Sequence, residues 1–171
     1  MKPGNVSSSI LILEDDPDQM EFLVSLARAE IKNIMSNKST SDRQRNIIKG
    51  IQILKVSNTN SLQKAVSVHK DVLLAVLDCN APDTKGSAAH DQLVKTKHVI
   101  TGQHSAVDIM ITNLPDTPIT LISSFDRFRR TVNRYYESKH DLTIGFVRKN
   151  DPTKISNNIK HHLTQYLNSI A

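Results

Sequence analysis

The chain has 171 residues, about the length of one ordinary domain, and 38% of them are apolar, which is enough to bury a core and excludes wholesale disorder. The single cysteine, Cys79, excludes a framework of intrachain disulfides and favours the cytoplasm as the compartment. No apolar run reaches the roughly 18 residues that a membrane span needs. The formal net charge of +5 favours acidic partners, but only weakly.

The first segment of the chain predicts a strand, an acidic loop and a helix. The run SSILIL predicts a strand over Ser9–Leu13. This strand runs directly into three acidic residues, Glu14, Asp15 and Asp16. Pro17 suits the first turn of a helix, and Asp16 suits its N-cap. The polar, basic segment 32–50 follows, and we interpret it as an exposed insertion or as an extension of this helix with a loop.

The middle of the chain predicts two more strands with a helix between them. IQILKVS predicts the second strand, and NSLQKAVSVHK predicts a short helix. The third strand, Val72–Leu77, is apolar without a break, which is typical of a central parallel strand that is covered on both faces. It runs into Asp78, and Pro82 and Gly86 follow at intervals of four residues.

The rest of the chain continues the alternation. The segment from Ser87 to Asp116 predicts two irregular helices with Gly102 between them, and Ile119–Ile122 predicts a fourth strand. A basic helix with aromatic residues, Arg127–Tyr136, comes next. LTIGFVRK predicts a fifth strand, and the last segment predicts an amphipathic helix.

Five strands that alternate with helices predict an α/β fold, a parallel sheet wrapped on both faces. Crossovers in such a sheet are right-handed. In doubly wound sheets the functional residues lie beyond the carboxyl ends of the strands. The residues that follow each strand are therefore the candidates for a site.

Carboxylates, a hydroxyl and an ammonium follow the predicted strands. Besides the three acids after the first strand, these are Asp78, Ser123 or Ser124, and Lys149. Clustered carboxylates repel one another unless a cation neutralises them, and hard oxygen ligands suit Mg²⁺. A lysine and a hydroxyl opposite them would suit the oxygens of a phosphoryl group, and Asp78 could attack phosphorus as a nucleophile.

These motifs, in this order, resemble the receiver domains of two-component response regulators. ILILEDDPDQ resembles the first strand of that family with its acidic pair, and LDCNAPDTKG matches a phosphoacceptor aspartate with proline four and glycine eight residues later. PITLISS resembles the fourth strand with its hydroxyl, and GFVRK resembles the fifth strand with an aromatic residue three before the lysine. The resemblance implies a flavodoxin-like (βα)5 fold with strand order 2-1-3-4-5.

The resemblance also implies a role for each matching residue. Asp78 would be the phosphoacceptor, Ser123 the switch hydroxyl, Lys149 the partner of a phosphoryl oxygen and Phe146 the aromatic switch. The ligands of Mg²⁺ would be Glu14, Asp15, Asp78 and the backbone carbonyl of Asn80. The acidic pair could also be Asp15 and Asp16, but the distance to Pro17 favours Glu14 and Asp15.

Departures from the family pattern concern the surroundings of these residues. Asn150 stands where the family usually has proline after the lysine. We expect one receiver domain over residues 1–171, with insertions at 32–50 and within 87–117. Because the chain ends soon after the last helix, we expect no DNA-binding domain to follow.

The resemblance predicts a phosphorylation-driven switch rather than an enzyme. A histidine kinase or histidine phosphotransfer protein would donate the phosphoryl group in the presence of Mg²⁺. The output would pass to a protein partner, for which the basic helix Arg127–Tyr136 is a candidate surface, or through a homodimer. The sequence has no recognisable nucleic-acid-binding motif, which argues against nucleic acid as the partner.

Two alternatives remain open from the sequence. The first is a degenerate receiver that acts as a constitutive protein-binding scaffold, which Asn150 and the insertions would allow. The second is an Mg²⁺-dependent phosphatase with an aspartate nucleophile. Such enzymes carry, after the first strand, an aspartate, a second aspartate two residues later and then threonine or valine, a motif that this chain lacks.

Overall fold

A five-stranded parallel sheet of order β2-β1-β3-β4-β5 forms the centre of the molecule. The computed structural model describes residues 8–78, 101–124 and 144–170. The strands are β1 (Ser9–Leu13), β2 (Gln52–Val56), β3 (Val72–Asp78), β4 (Ile119–Ser123) and β5 (Gly145–Arg148). The described helices are α1 (Pro17–Ser36), α2 (Asp42–Lys49), α3 (Thr59–Val68), α4 (Thr101–Asn113) and α5 (Pro152–Ser169). The predicted α/β class and strand order are confirmed.

Alternating side chains of the strands form two apolar cores, one on each face of the sheet. Leu11, Leu77 and Leu121 point to the core under α3 and α4. Ile12 and Val76 point to the core under α1 and α5. All residues of β1 and β3 are buried, as the unbroken apolar run of β3 predicts for a strand that is covered on both faces.

Helix α1 begins as the sequence predicts and is held to α5 by a buried carboxylate. The Asp16 carboxylate accepts hydrogen bonds from the backbone N–H groups of Asp18 at 2.9 Å and Gln19 at 3.0 Å. Further along α1, the buried Glu30 carboxylate accepts a hydrogen bond from the Ser156 hydroxyl of α5 at 2.5 Å. This bond fixes the two helices side by side on one face of the sheet.

The segment 32–50 contains the end of α1 and a second helix, α2, which the sequence analysis did not predict. Ser41 caps α2, and the side chain of Gln44 accepts a hydrogen bond from the Ser41 N–H in return. This capping box was readable in the sequence as Ser-x-x-Gln. The segment is not wholly exposed, because Ile34 and Ile48 are buried in the core under α1.

The prediction that Gly102 separates two helices is wrong, because Gly102 lies in the first turn of α4. Glycine costs only about 1 kcal/mol relative to alanine within a helix. The burial of Ala106, Val107 and Met110 against the sheet outweighs that cost. The earlier part of the predicted 87–117 insertion and the helix Arg127–Tyr136 lie outside the described residues.

None of the described helices is both long enough and apolar enough to cross a lipid bilayer.

Gly145, the first residue of β5, lies where a larger residue would meet β4. A Cβ atom there would lie 3.2 Å from the Thr120 Oγ1 atom and 3.4 Å from the Ile119 carbonyl oxygen. The Thr120 hydroxyl cannot move away freely, since it donates a hydrogen bond to the Asn158 side chain of α5 at 2.8 Å. Close packing at the start of β5 therefore requires glycine.

We expect Gly145→Ala to lower the free energy of unfolding by about 1–3 kcal/mol, because it overpacks this contact. Urea denaturation of the two proteins measures the difference. Gly50→Ala is the matched control: Gly50 has helical backbone angles, and its Cβ would meet the Ile47 carbonyl oxygen at 3.4 Å, an ordinary contact. Equal stability of the two variants would contradict the close approach at Gly145.

Candidate functional site

The carboxyl ends of the parallel strands bring the polar residues that follow them to one edge of the sheet. Glu14 follows β1, and its N–H donates a hydrogen bond to the Val56 carbonyl at the end of β2. Asp78 is the last residue of β3 and pairs in register with Ile122. Ser123 ends β4, and Lys149 follows β5. The parallel register thus assembles residues that are far apart in sequence.

Three carboxylates gather at this edge. Carboxylate oxygens of Glu14, Asp15 and Asp78 all lie within 4.8 Å of one another. Glu14 and Asp78 are each 1% exposed, whereas Asp15 is open to solvent. Two carboxylates of the group are therefore buried, and the third is exposed on the side from which a ligand could enter.

Lys149 bridges the two buried carboxylates. Its Nζ atom lies 2.7 Å from Oε2 and 3.0 Å from Oε1 of Glu14, and 3.2 Å from Oδ2 of Asp78. The backbone of Lys149 is fixed as well, since its N–H donates to the Ser123 carbonyl at 2.8 Å. A turn closed by the Asp151 N–H and the Arg148 carbonyl follows at once. Its side-chain ion pairs and its backbone hydrogen bond together hold the Lys149 ammonium next to Glu14 and Asp78.

In the acidic group formed by the described residues Glu14, Asp15 and Asp78, three carboxylates face the ammonium of Lys149. Burial raises the pKa of Glu14, and the nearby charge of Asp78 adds to this, against the lowering by the Lys149 hydrogen bond. Burial also opposes the charge of Lys149, but its contacts with Glu14 and Asp78 outweigh burial and raise its pKa. A second cation would relieve the remaining repulsion.

Asp16 stands apart from this group. Its carboxylate accepts two backbone hydrogen bonds at the start of α1, and it is not among the acids whose oxygens converge. The convergent pair after β1 consists of Glu14 and Asp15. In the sequence analysis the distance to Pro17 favoured the same pair.

Ser123 and Phe146 lie beside the acidic group on β4 and β5. Ser123 is fully buried, and its carbonyl holds the backbone of Lys149. Phe146 is half-buried and packs against the apolar core under α3 and α4. Asn80 and Cys79, which directly follow the acidic strand end, lie outside the described residues.

The donor set fits Mg²⁺. Three carboxylates offer hard oxygen ligands, and the exposed Asp15 leaves room for the water molecules that Mg²⁺ usually keeps. The excess negative charge supplies the electrostatic attraction. Glu14, Asp15 and Asp78 are the described residues that would hold the ion.

The contact that sequence reasoning missed is the ion pair between Glu14 and Lys149. The sequence motifs predict Glu14 only as a metal ligand and Lys149 only as the partner of a phosphoryl oxygen. The two residues are 135 positions apart, and no local pattern relates them. The strand order places β1 and β5 on opposite sides of β3 and β4. The Lys149 side chain therefore extends across the carboxyl end of the sheet to contact Glu14.

We expect Lys149→Met to destabilise the metal-free protein by about 3–5 kcal/mol, because it leaves two buried carboxylates without their cation. In an Asp78→Asn background the same change should cost at least about 1 kcal/mol less. A double-mutant cycle by urea denaturation in a chelating buffer measures this coupling. Additive effects of the two changes would show that Lys149 does not interact with Asp78.

The raised pKa of Glu14 predicts a pH dependence of stability. Between its unfolded value of about 4.5 and its raised folded value, the folded state binds more protons at Glu14 than the unfolded state. The stabilising contribution of Glu14 is therefore complete below pH 4.5 and is lost as the pH rises through the folded pKa. The free energy of unfolding of the wild type relative to Glu14→Gln should fall across this window in chelating buffer. A constant or rising difference would contradict the assignment.

No family model matches the chain, and no curated protein matches it by sequence. Solved structures do match. The N-terminal domain of a response regulator/sensory box/GGDEF three-domain protein from Carboxydothermus hydrogenoformans is 13% identical, with a TM-score of 0.56 over 96% of this chain and 100% of that one.

Two further structures are receiver domains. That of NtrX from Brucella abortus is 14% identical, with a TM-score of 0.56 over 91% of this chain and 98% of that one. A response regulator receiver domain protein from Clostridium thermocellum is 10% identical, with a TM-score of 0.58 over 93% of this chain and 96% of that one. The chain therefore has the fold of response-regulator receiver domains, as its motifs predicted.

Proposed function

We propose that this chain is a response-regulator receiver, a single domain over residues 1–171, that accepts a phosphoryl group on Asp78 in the presence of Mg²⁺. The donor is a histidine kinase or a histidine phosphotransfer protein. The phosphorylated form changes conformation and thereby alters the binding of a partner protein. The domain acts in the cytoplasm as a switch and turns over no substrate apart from its own phosphoryl group.

One observation carries this proposal: Asp78 is buried at the end of the central strand, between the acids that follow β1 and the ammonium of Lys149. A purely structural turn gives no reason to bury two carboxylates together, since their mutual repulsion and desolvation cost stability. Buried carboxylates that lie together in this way are typical of functional sites.

The phosphoryl transfer that this geometry supports is a direct displacement. A carboxylate oxygen of Asp78 forms a bond to phosphorus while the phosphorus–nitrogen bond of the donor phosphohistidine breaks. The imidazole leaves with the electron pair of that bond and takes up a proton. The product at Asp78 is an acyl phosphate.

The chain's own residues position and neutralise the group as it transfers. The ammonium of Lys149, already 3.2 Å from Asp78, can exchange its carboxylate contact for a phosphoryl oxygen. In our proposal Glu14, Asp15, Asp78 and the Asn80 carbonyl would hold Mg²⁺, which would supply further positive charge to the site. Without that charge the incoming phosphoryl group would meet an excess of carboxylates.

The switch that follows shifts a population between two states. Ser123 lies next in register to the end of β5, and its hydroxyl would turn toward the phosphoryl group. Phe146 is only half-buried, so its ring can take an inward position with little repacking. The basic helix Arg127–Tyr136 is the surface that we propose reads this change for a protein partner or a second copy.

The test is intact-mass spectrometry after incubation with acetyl phosphate. We expect one phosphoryl adduct that requires Mg²⁺ and is absent in Asp78→Asn. Asp116→Asn is the matched control, because Asp116 is an exposed aspartate in the loop before β4 and should leave the adduct unchanged. Lys149→Met should reduce the yield of adduct.

Beryllofluoride covers the case in which acetyl phosphate is not accepted as a donor. It should change the amide NMR spectrum of the wild type in the presence of Mg²⁺ and leave that of Asp78→Asn unaltered. If neither reagent has an effect, the switch is excluded and a constitutive binding scaffold takes its place. Sustained turnover of small phosphomonoesters would instead indicate a hydrolase.

A further inference from the structure

A cavity of about 320 Å³ lies between α1, α2 and the edge strand β2. It faces the start of β2, whose first residue, Gln52, donates a hydrogen bond to the Ser8 carbonyl beside the start of β1. The carboxylate group lies at the other edge of the sheet, beyond the carboxyl ends of the strands. The cavity is therefore separate from the proposed phosphoacceptor site.

The walls of this cavity are fixed by specific polar contacts. The Arg45 guanidinium of α2 donates to the Met35 carbonyl at 3.0 Å and to the Asn37 carbonyl at 3.1 Å, and so binds the end of α1. The Thr40 hydroxyl in the connecting loop donates to the Ile34 carbonyl at 2.8 Å. These bonds use backbone acceptors that the end of a helix leaves open. The cavity is thus preformed, which lowers the cost of binding a ligand.

The floor of the cavity is aliphatic. Its apolar lining residues are four isoleucines and a methionine: Ile31, Met35, Ile48, Ile51 and Ile53. No aromatic ring of the described chain lines it, so it offers no surface for stacking a base or a sugar. The floor suits a flexible alkyl chain, and its volume is at the lower end of the range for small-molecule sites.

The only polar side chains among the described lining residues are three cations, Arg28, Lys32 and Lys49. All three are exposed at the rim. Lys32 and Lys49 form no ion pair with any described residue, and Arg28 contributes only a minor charge interaction to Glu21. The rim therefore carries positive charge that is available to an anion.

We propose that this cavity binds an aliphatic carboxylate of medium chain length. The alkyl chain lies on the isoleucine and methionine floor, and the carboxylate contacts the cations of the rim. The lining residues match both parts of such a ligand. The floor has no hydrogen-bonding side chain that would bind a polar group, and the rim has no carboxylate that would bind a cation. Helix α2 supplies Lys49 to the rim, and its fully buried Ile48 lies beneath the partly exposed apolar residues of the floor.

The test is a titration of the wild-type protein with decanoate, followed by the methyl NMR signals of isoleucine and methionine. We expect saturable shifts centred on Ile31, Met35 and Ile53. Octanoate should bind more weakly, by up to about fifteenfold, because it buries two fewer methylene groups. Acetate, which lacks the chain, should leave these methyl signals unmoved. Decyltrimethylammonium, which reverses the charge, should bind at least about fivefold more weakly than decanoate.

Two double variants distinguish the effect of the rim lysines on decanoate binding from the effect of the protein's net charge. Lys32→Gln/Lys49→Gln should weaken decanoate binding by about fivefold, the effect of two exposed charge interactions. Lys64→Gln/Lys160→Gln removes the same charge from exposed positions outside the cavity and should bind decanoate like the wild type. All four positions are exposed lysines on helices, so folding should survive in both variants.

Three results would overturn the proposal. The first is equal binding of decanoate and decyltrimethylammonium, and the second is equal affinity in the two double variants. The third is the absence of methyl shifts with decanoate. If an amphipathic peptide of leucine and glutamate then produces such shifts, the cavity is a docking surface for a protein. None of these results depends on Asp78, so the phosphoacceptor proposal would be unaffected.

Discussion

The ion pairs of Lys149 with Glu14 and Asp78 are the interaction on which the candidate site depends. Two carboxylates, each 1% exposed, are stabilised side by side by an ammonium that lies within 3.2 Å of both. The same ammonium fixes the end of β5 relative to β1 and β3, strands that are not its neighbours in the sheet. The Lys149 side chain thus both neutralises charge at the site and connects the ends of β1, β3 and β5.

The parallel sheet is what makes this arrangement possible. Parallel strands deliver all their carboxyl ends to one edge, so residues far apart in sequence converge without any long-range motif. The partly buried Glu30–Ser156 and Thr120–Asn158 hydrogen bonds then hold α5 to α1 and to β4. The helix that follows Lys149 is therefore anchored to α1 and to the sheet.

Much of the fold could be predicted from the sequence because its signals are local. The unbroken apolar run of β3, the Asp16 cap before Pro17 and the alternation of strands with helices each reflect a short-range physical preference. Helix α2 was missed because a polar, basic composition outweighed its capping box, although the box was visible. The Glu14–Lys149 contact had no local signal, since it follows from strand order alone.

Two groups of described residues with opposite charge lie at opposite ends of the strands. The carboxyl edge has an excess of acids around Asp78, while the opposite edge has the three cations of the cavity rim. Such a separation gives these residues an electric dipole along the strand direction, whose field reaches about a Debye length, roughly 8–10 Å in physiological salt. A charged molecule would be rotated by this field before any contact forms, so an approaching basic surface and an approaching acidic one would meet different ends of the protein.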